Sequence, residues 1–331
     1  MPLVTISSGN QFAAQDGETL LDAALRAGVS LQYSCRTGRC STCKAQVPSG
    51  STLALHDETG LDSAEREAGW ILSCVRTATT DVRLDVQDLS GVRLYPARTW
   101  PCRIQALRRP AADVLEVVLR LPPTSDFSFH PGQYIEIIGP GGARRSYSVA
   151  NAPAADKLIE LHIRQVGGGA MSRYWFDNAQ VNDLLRLHGP LGTFFLRAIA
   201  GRDLVFLATG TGIAPVKAMI EGLAALPQAE RPDSVTAYWG GRTVADLYWN
   251  PGDIEVEHRF VPVLSRAGDE WHGARGHVQH ILLADAPALH RTVVYACGSD
   301  AMIHGAREAL LAAGLAAADF HSDAFVCSAP T

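Results

Sequence analysis

Cys35, Cys40, Cys43 and Cys74 stand in a C-x4-C-x2-C spacing followed by one distant thiol. That is the plant-type arrangement for a [2Fe–2S] cluster. Three thiolates on one short loop and a fourth from elsewhere can enclose two irons, and Gly38 lets the loop backbone curl close and present N–H groups to the sulfurs. A structural zinc site is the alternative. Zinc ligands more usually come as two separated close pairs, whereas here three crowd one loop. The chain has 7 cysteines, an odd number, and Cys102, Cys297 and Cys327 are scattered, so ligation or chemistry is expected rather than a disulfide framework.

Three further constellations suit anionic, aromatic ligands. Arg145-Ser146-Tyr147-Ser148 is followed by the run Gly167-Gly168-Gly169-Ala170-Met171-Ser172. An arginine beside a glycine-rich turn with a hydroxyl can hold a pyrophosphate, Tyr147 offers a plane for a flavin ring, and Ser148 can hydrogen-bond the ring near N5. An ordinary strand and a mobile hairpin remain the competing readings. Gly210-Thr211-Gly212-Ile213-Ala214-Pro215 follows the apolar run LVFLAT, with Pro215 suited to a first helical turn. Strand, glycine turn and helix N-terminus together cradle pyrophosphate. The full G-x-G-x-x-G is missing, so a tight connection in any parallel sheet competes. Cys297-Gly298-Ser299 ends the run TVVYA, where ligands bind in such folds; Cys297 either packs against a nicotinamide or is a buried structural cysteine. Gly241 and Arg242 close another strand-like run. Asp246 beyond them suits ribose hydroxyls and NADH, while Arg266 suits the 2′-phosphate of NADPH. Phe325 covers a flavin face or merely anchors the tail. His277 and His280 stand three apart with no further ligands beside them. Neither G-x-S-x-G nor H-E-x-x-H occurs, which removes support for hydrolase chemistry.

The elements that must position these residues divide into modules. A length of 331 residues allows two or three, and 47% hydrophobic with 19% charged residues describes a globular enzyme. Residues 1–95 carry 8 basic and 11 acidic side chains, 96–199 carry 12 and 8, and 200–331 carry 9 and 15. A basic middle suits an anionic cofactor. The net charge of −5 argues against nucleic acid as a partner. The opening MPLVTISSGN lacks signal-peptide regions and no apolar run approaches the length of a membrane span, so a soluble, cytoplasmic chain is expected. LVTISSG and QFAAQDG read as strands. ETLLDAALRAGV reads as a helix with Leu20, Leu21, Ala24 and Leu25 on one face and Gly28 ending it. We expect a small α+β module over 1–90 and a linker over 91–100. An antiparallel β-barrel should occupy 101–198, from runs such as VLEVVLRL, QYIEII, SYSVA and IELHIR. Strands and helices alternating over 199–331 predict a doubly wound α/β nucleotide module.

In this order the motifs resemble the three-module iron–sulfur flavoprotein reductases related to ferredoxin–NADP reductase, over nearly the whole chain. The resemblance implies a β-grasp ferredoxin fold for the α+β module over 1–90, FAD, a [2Fe–2S] cluster held by the four cysteines, and NADH, with NADPH also admissible. It implies that Arg145 contacts the FAD phosphate, Tyr147 and Ser148 the isoalloxazine, and Ser172 the pyrophosphate, with Ser146, Gly169, Met171 and Phe325 beside them. Gly210, Thr211, Gly212, Pro215, Gly241, Arg242 and Gly298 fall to the nicotinamide coenzyme, and Cys297 to its C4. Ser148 and Cys297 are then the residues nearest the chemistry. The stretches YPARTWPCRI, PGQYIEII, RRSYSVANAP, GPLGTFF, YWGGR and SDAFV are similar to the branch serving bacterial deoxysugar synthesis. Such members supply electrons to a pyridoxamine-phosphate dehydrase. Members that serve aromatic-ring or hydrocarbon oxygenases share the same motifs, and a non-enzymatic electron carrier using only the cysteine loop is a third reading.

Overall fold

The computed structural model describes residues 1–325, so Cys327 lies outside the described residues. Two compact units divide between Leu94 and Tyr95.

In the first unit a five-stranded sheet runs in the order Gln11–Ala13, Leu3–Ile6, Val82–Asp85, Lys44–Ser49, Trp70–Leu72. Alternation puts Val4, Ile6, Val82 and Leu84 on one buried face. The sheet grasps the helix Leu20–Arg26, whose Leu20, Leu21, Ala23 and Ala24 are buried; each leucine contributes about 1.5–3 kcal/mol by leaving water. Thr19 caps this helix by accepting from the Asp22 N–H at 3.1 Å, and Gly28, at φ +76°, turns the chain away. The loop bearing three cysteines enters the Lys44–Ser49 strand. Ser73, fully buried, ties the fourth to it: its N–H donates to the Cys43 carbonyl at 3.1 Å, and its own carbonyl accepts from Leu21 N–H at 3.0 Å. Helix and both cysteine segments are thereby held as one piece.

The second unit holds two modules. Its antiparallel sheet has the order Arg144–Ser148, Tyr134–Ile138, Leu184–Leu191, Arg98–Ala111, Val114–Arg120, Leu158–Arg164. The edge strands meet through a Val149–Leu161 bridge, and Ala150 N–H donates to the Glu160 carbonyl at 2.8 Å, so the sheet curls into a barrel. Inward residues such as Ile104, Val117, Ile135, Ile137, Leu161 and Leu187 fill it. One correction concerns residues 98–100 of the expected linker. They are already strand, because Arg98, Thr99 and Trp100 pair with Gly189, His188 and Leu187.

The other module is a six-stranded parallel sheet in the order Ala274–Arg275, Arg259–Leu264, Ser234–Gly241, Asp203–Thr209, Thr292–Gly298, Phe320–Ala324. Its flanking helices are Ile213–Gly222, Val278–Ala284 and Asp300–Ala312. Strand order reverses between Asp203–Thr209 and Thr292–Gly298, which opens a crevice at their carboxyl ends. The tail run SDAFV belongs to the last strand as far as Ala324. No helix among the described residues is long and apolar enough to cross a membrane.

Candidate functional site

The four thiols fall into two pairs. Cys43 Sγ lies 3.2 Å from Cys74 Sγ, and Cys35 hydrogen-bonds with Cys40. In each pair the hydrogen bond lowers one thiol, Cys35 or Cys74, and raises the other, with burial adding to the rise of Cys40 and Cys43. Among the described residues no three His, Cys, Asp or Glu side chains converge on one ion. Two pairs fit a two-iron cluster with two thiolates per iron. A single tetrahedral ion would draw all four to one point. Backbone N–H groups of Cys35 and Thr37 point at the sulfurs of Cys40 and Cys35, each at 3.4 Å, which stabilises the anionic form of such ligands. Gly38, at φ +72°, cannot be replaced without cost, since a Cβ there would run into the Asp57 carbonyl. Of these four, Cys40, Cys43 and Cys74 are buried and Cys35 is half-buried.

The Arg144–Ser148 strand pairs on one side with Tyr134–Ile138 and leaves its other edge largely open, the bridge at Val149 coming one residue beyond it. Tyr147 stands edge-on to Trp175 at 6.3 Å and accepts the indole N–H at 3.0 Å. Burial pushes its phenol up to about 12. Its O–H therefore stays a neutral donor. The neighbouring Ser148 hydroxyl has no hydrogen-bond partner among the described residues, leaving it free for a ring nitrogen. Ser146 and Arg145 are exposed, and among the described residues the Arg145 guanidinium bonds only the Arg144 carbonyl, at 2.8 Å, so it is open to an anion. Gly169 is the N-cap of the short helix Ala170–Arg173, and the Ser172 hydroxyl accepts from Val166 N–H at 2.9 Å, shaping the glycine run. Met171 is placed differently from the expectation. Its side chain is 2% exposed in the barrel core, because the short helix turns that face inward, so only its backbone is available to a ligand.

At the crevice the Gly210–Gly212 turn packs backbone against backbone. A Cβ on Gly212 would run into the Cys297 carbonyl, and one on Gly298 would strike Thr209. The Thr209 hydroxyl accepts from Ser299 N–H at 3.1 Å, joining the two strand ends. The helix Ile213–Gly222 continues directly from that turn: the Ile213 N–H donates to the Gly210 carbonyl and Pro215 has none, so the helical end at which an anion could be held is the Gly210–Gly212 turn, which Thr209 does not cap by its side chain. Thr211, in the turn, is 8% exposed. The Cys297 thiol, expected at the nicotinamide, is 0% exposed; burial pushes it well above the usual thiol range. It is a neutral packing group that shapes the crevice through its carbonyl. Phe325 is 38% exposed, and its N–H donates to the Gly298 carbonyl at 2.8 Å, which brings the tail to the crevice.

A cavity of about 450 Å³ lies beyond Gly241, lined by Arg242, Asp246, Arg266 and Asp113 among others. Asp246 is not open to a ribose. It accepts from the Arg242 and Thr243 N–H groups at 2.9 and 3.1 Å and pairs with the Arg242 guanidinium at 3.1 Å, being the inward end of a capping box. Two residues escaped the motif reading. Arg164 ends a barrel strand 3.4 Å from Asp113 and 3.6 Å from Asp246, its Nη1 only 3.1 Å from where a Cβ on Gly210 would stand. Trp239, fully buried, donates its indole N–H to the Gly210 carbonyl at 2.9 Å. Neither carries a local signal, since only the meeting of strands distant in sequence brings them to the turn.

Comparison with known proteins agrees with this division. Residues 4–79 match the 2Fe-2S iron-sulfur cluster binding domain, 101–196 the oxidoreductase FAD-binding domain and 206–308 the oxidoreductase NAD-binding domain. The chain is 40% identical over 325 residues to the CDP-6-deoxy-L-threo-D-glycero-4-hexulose-3-dehydrase reductase of Yersinia pseudotuberculosis, covering 97% of each. It is 32% identical to a reductase component of terephthalate 1,2-dioxygenase from Comamonas, covering 95% of this chain and 94% of that one. The crystal structure of an Amycolatopsis cytochrome P450 reductase superposes with a TM-score of 0.77 at 33% identity, over 98% of this chain and 99% of that one. A bare electron carrier is excluded, because it has no use for flavin and nicotinamide domains.

Two substitutions check the site. Cys40→Ser should abolish the visible absorbance of the cluster while NADH still reduces the flavin; retained delivery to a one-electron protein acceptor would contradict the ligand role. Gly212→Ala should weaken NADH about tenfold or more, in line with the 1–3 kcal/mol typical of overpacking, with flavin and cluster spectra intact. The dependence of flavin reduction on NADH concentration measures this.

Proposed function

The chain belongs to the three-module iron–sulfur flavoprotein reductases of the ferredoxin–NADP reductase superfamily, and we propose that the partner enzyme it serves is a pyridoxamine-phosphate-dependent 3-dehydrase of a CDP-linked 4-keto-6-deoxyhexose. The family's chemistry is electron transfer from NAD(P)H to a partner enzyme. When bound, the coenzyme, FAD and the cluster together supply two-electron uptake and one-electron release.

The chain's own residues bind, orient and insulate. Cys35 with Cys40, and Cys43 with Cys74, would hold the cluster, and the burial of Cys40, Cys43 and Cys74 would keep water from those three thiolates. Tyr147, backed by the edge of Trp175, and the unpartnered Ser148 hydroxyl would face the isoalloxazine, with Arg145 and the turn before Ser172 on the phosphates. The Gly210–Gly212 turn would take the coenzyme's pyrophosphate, with Arg164 adding a positive charge above it. Cys297 and Gly298 would bound the nicotinamide pocket by backbone.

What supports the dehydrase as partner is the 40% identity sustained over 97% of both chains to a reductase named for that enzyme. The reductase component of an oxygenase is the second reading, favoured by the P450 reductase superposition. Anaerobic NADH oxidation with a CDP-4-keto-6-deoxyglucose 3-dehydrase and its substrate separates them. Formation of 3-deoxy sugar dependent on this chain is the expected result. Fast reduction of flavin and cluster with no sugar product would overturn the dehydrase and leave the oxygenase.

For the coenzyme, Asp246 gives no preference, since its carboxylate is engaged by Arg242. We propose NADH as the working donor, with Arg266 admitting NADPH through its 2′-phosphate. Arg266→Ala should then lower kcat/KM for NADPH about 10- to 100-fold, the loss of one charge-assisted hydrogen bond, while NADH changes little. Equal losses with both coenzymes would remove Arg266 from that role.

A further inference from the structure

Two side chains of the helix Ile213–Gly222 leave the nicotinamide module and grip the backbone of the flavin barrel. Lys217 Nζ donates to the Ala150 carbonyl at 3.0 Å, and Glu221 Oε2 accepts from the Ala152 N–H at 3.0 Å. Ala150 comes two residues after Ser148. A carbonyl and an N–H two residues apart are what a neighbouring strand would pair with. Here an i,i+4 ion pair, closed at 2.8 Å, takes the place of that strand.

Lys217 also reaches Glu160 at 3.0 Å, on the strand that closes the barrel. Its ammonium has three donors and meets three acceptors, on Ala150, Glu160 and Glu221. With its side chain only 12% exposed, the charge is costly to bury unpaired, so this geometry is closely determined. The contacts continue. Glu160 Oε1 lies 2.8 Å from His162 Nε2, and His162 Nδ1 lies 3.0 Å from the Tyr248 hydroxyl. Tyr248 meets Trp239 edge-on at 5.2 Å, and Trp239 donates to the Gly210 carbonyl. The circuit returns to the turn at which the Lys217 helix starts. Every member touches either the end of the flavin-motif strand or the coenzyme turn, directly or through one neighbour.

We propose that Lys217 and Glu221 are positioning residues for hydride transfer, fixing the end of the Arg144–Ser148 strand against the Gly210–Gly212 turn so that donor and acceptor rings meet at reacting distance. This rests on the reading of the two modules as FAD and NAD(P)H sites. Neither residue touches either ring; they act through Ala150, Ala152 and the helix.

The test uses the full FAD-loaded chain. In Lys217→Met the limiting rate of flavin reduction at saturating NADH should fall at least about tenfold, because a misplacement near 1 Å costs up to about 100-fold. The NADH dissociation constant and FAD content should stay within about twofold, as expected when only alignment is lost. Lys217→Arg should restore most of the rate. Amide hydrogen exchange of peptides spanning 149–153 should quicken in Lys217→Met and Glu221→Gln, a readout independent of turnover. Should Lys217→Met fail to fold around the unmatched Glu160, the double variant Lys217→Met with Glu160→Gln must show the same loss. An unchanged limiting rate in a folded, FAD-loaded variant, or a loss confined to NADH affinity, overturns the proposal. A wild-type chain that NADH does not reduce would overturn the functional reading instead.

Discussion

The nicotinamide module is organised by one close approach of backbone to backbone. Gly212 stands where any side chain would collide with the Cys297 carbonyl, and Gly298, at φ +144°, stands where any side chain would strike Thr209. Two adjacent parallel strands can deliver their carboxyl ends this close only if both connections are stripped of side chains. The crevice, the position of the Gly210–Gly212 turn at its mouth and the route of the tail past Gly298 all follow from that contact. Because the approach is so tight, small displacements of either strand end are resisted by overlap rather than absorbed by flexible side chains.

The barrel and the sheet of the second unit hold each other reciprocally. From the barrel, Arg164 reaches over the Gly210 turn, with Asp113 and Asp246 on either side of its guanidinium. From the sheet, Lys217 and Glu221 reach back to Ala150 and Ala152. Apolar packing alone fixes two surfaces only loosely in register, whereas the buried Lys217 ammonium, with an acceptor for each of its donors, tolerates few arrangements. Hydride transfer needs that kind of definition, since its rate depends on alignment more than on affinity.

The iron–sulfur unit solves a different problem. Four thiolates near one another repel, and the fold answers with backbone N–H groups directed at the sulfurs and a sheet that buries three of the four cysteines. Ser73 carries much of the geometry, since its two backbone hydrogen bonds tie the segment of Cys74 both to Cys43 and to the start of the helix. The half-buried Cys35 is the part of the ligand set nearest solvent.

The modules and their chemistry were legible in the chain because each motif is local: the cysteine spacing, Arg145 to Ser148, Gly210 to Pro215 and Cys297-Gly298 need only a few consecutive residues in one backbone conformation. Glycines at forced positions and apolar alternation are written in the same short range, and so were the barrel, the parallel sheet and the helix at Leu20. What the sequence could not supply was the direction in which a side chain finally points. Met171 sits in a motif yet turns into the barrel core, the Cys297 thiol is sealed, and Asp246 caps its own turn instead of facing a ligand. Arg164, Trp239 and Lys217 carry no motif, yet converge on the coenzyme turn or grip the flavin strand. The sequence alone determined which cofactors this protein takes, since ligand types and backbone turns are set by neighbours in the chain. Only the tertiary structure decided which side chains reach them, because burial and pairing depend on elements far apart in the chain, 29 residues for Trp239 with Gly210 and 67 for Lys217 with Ala150.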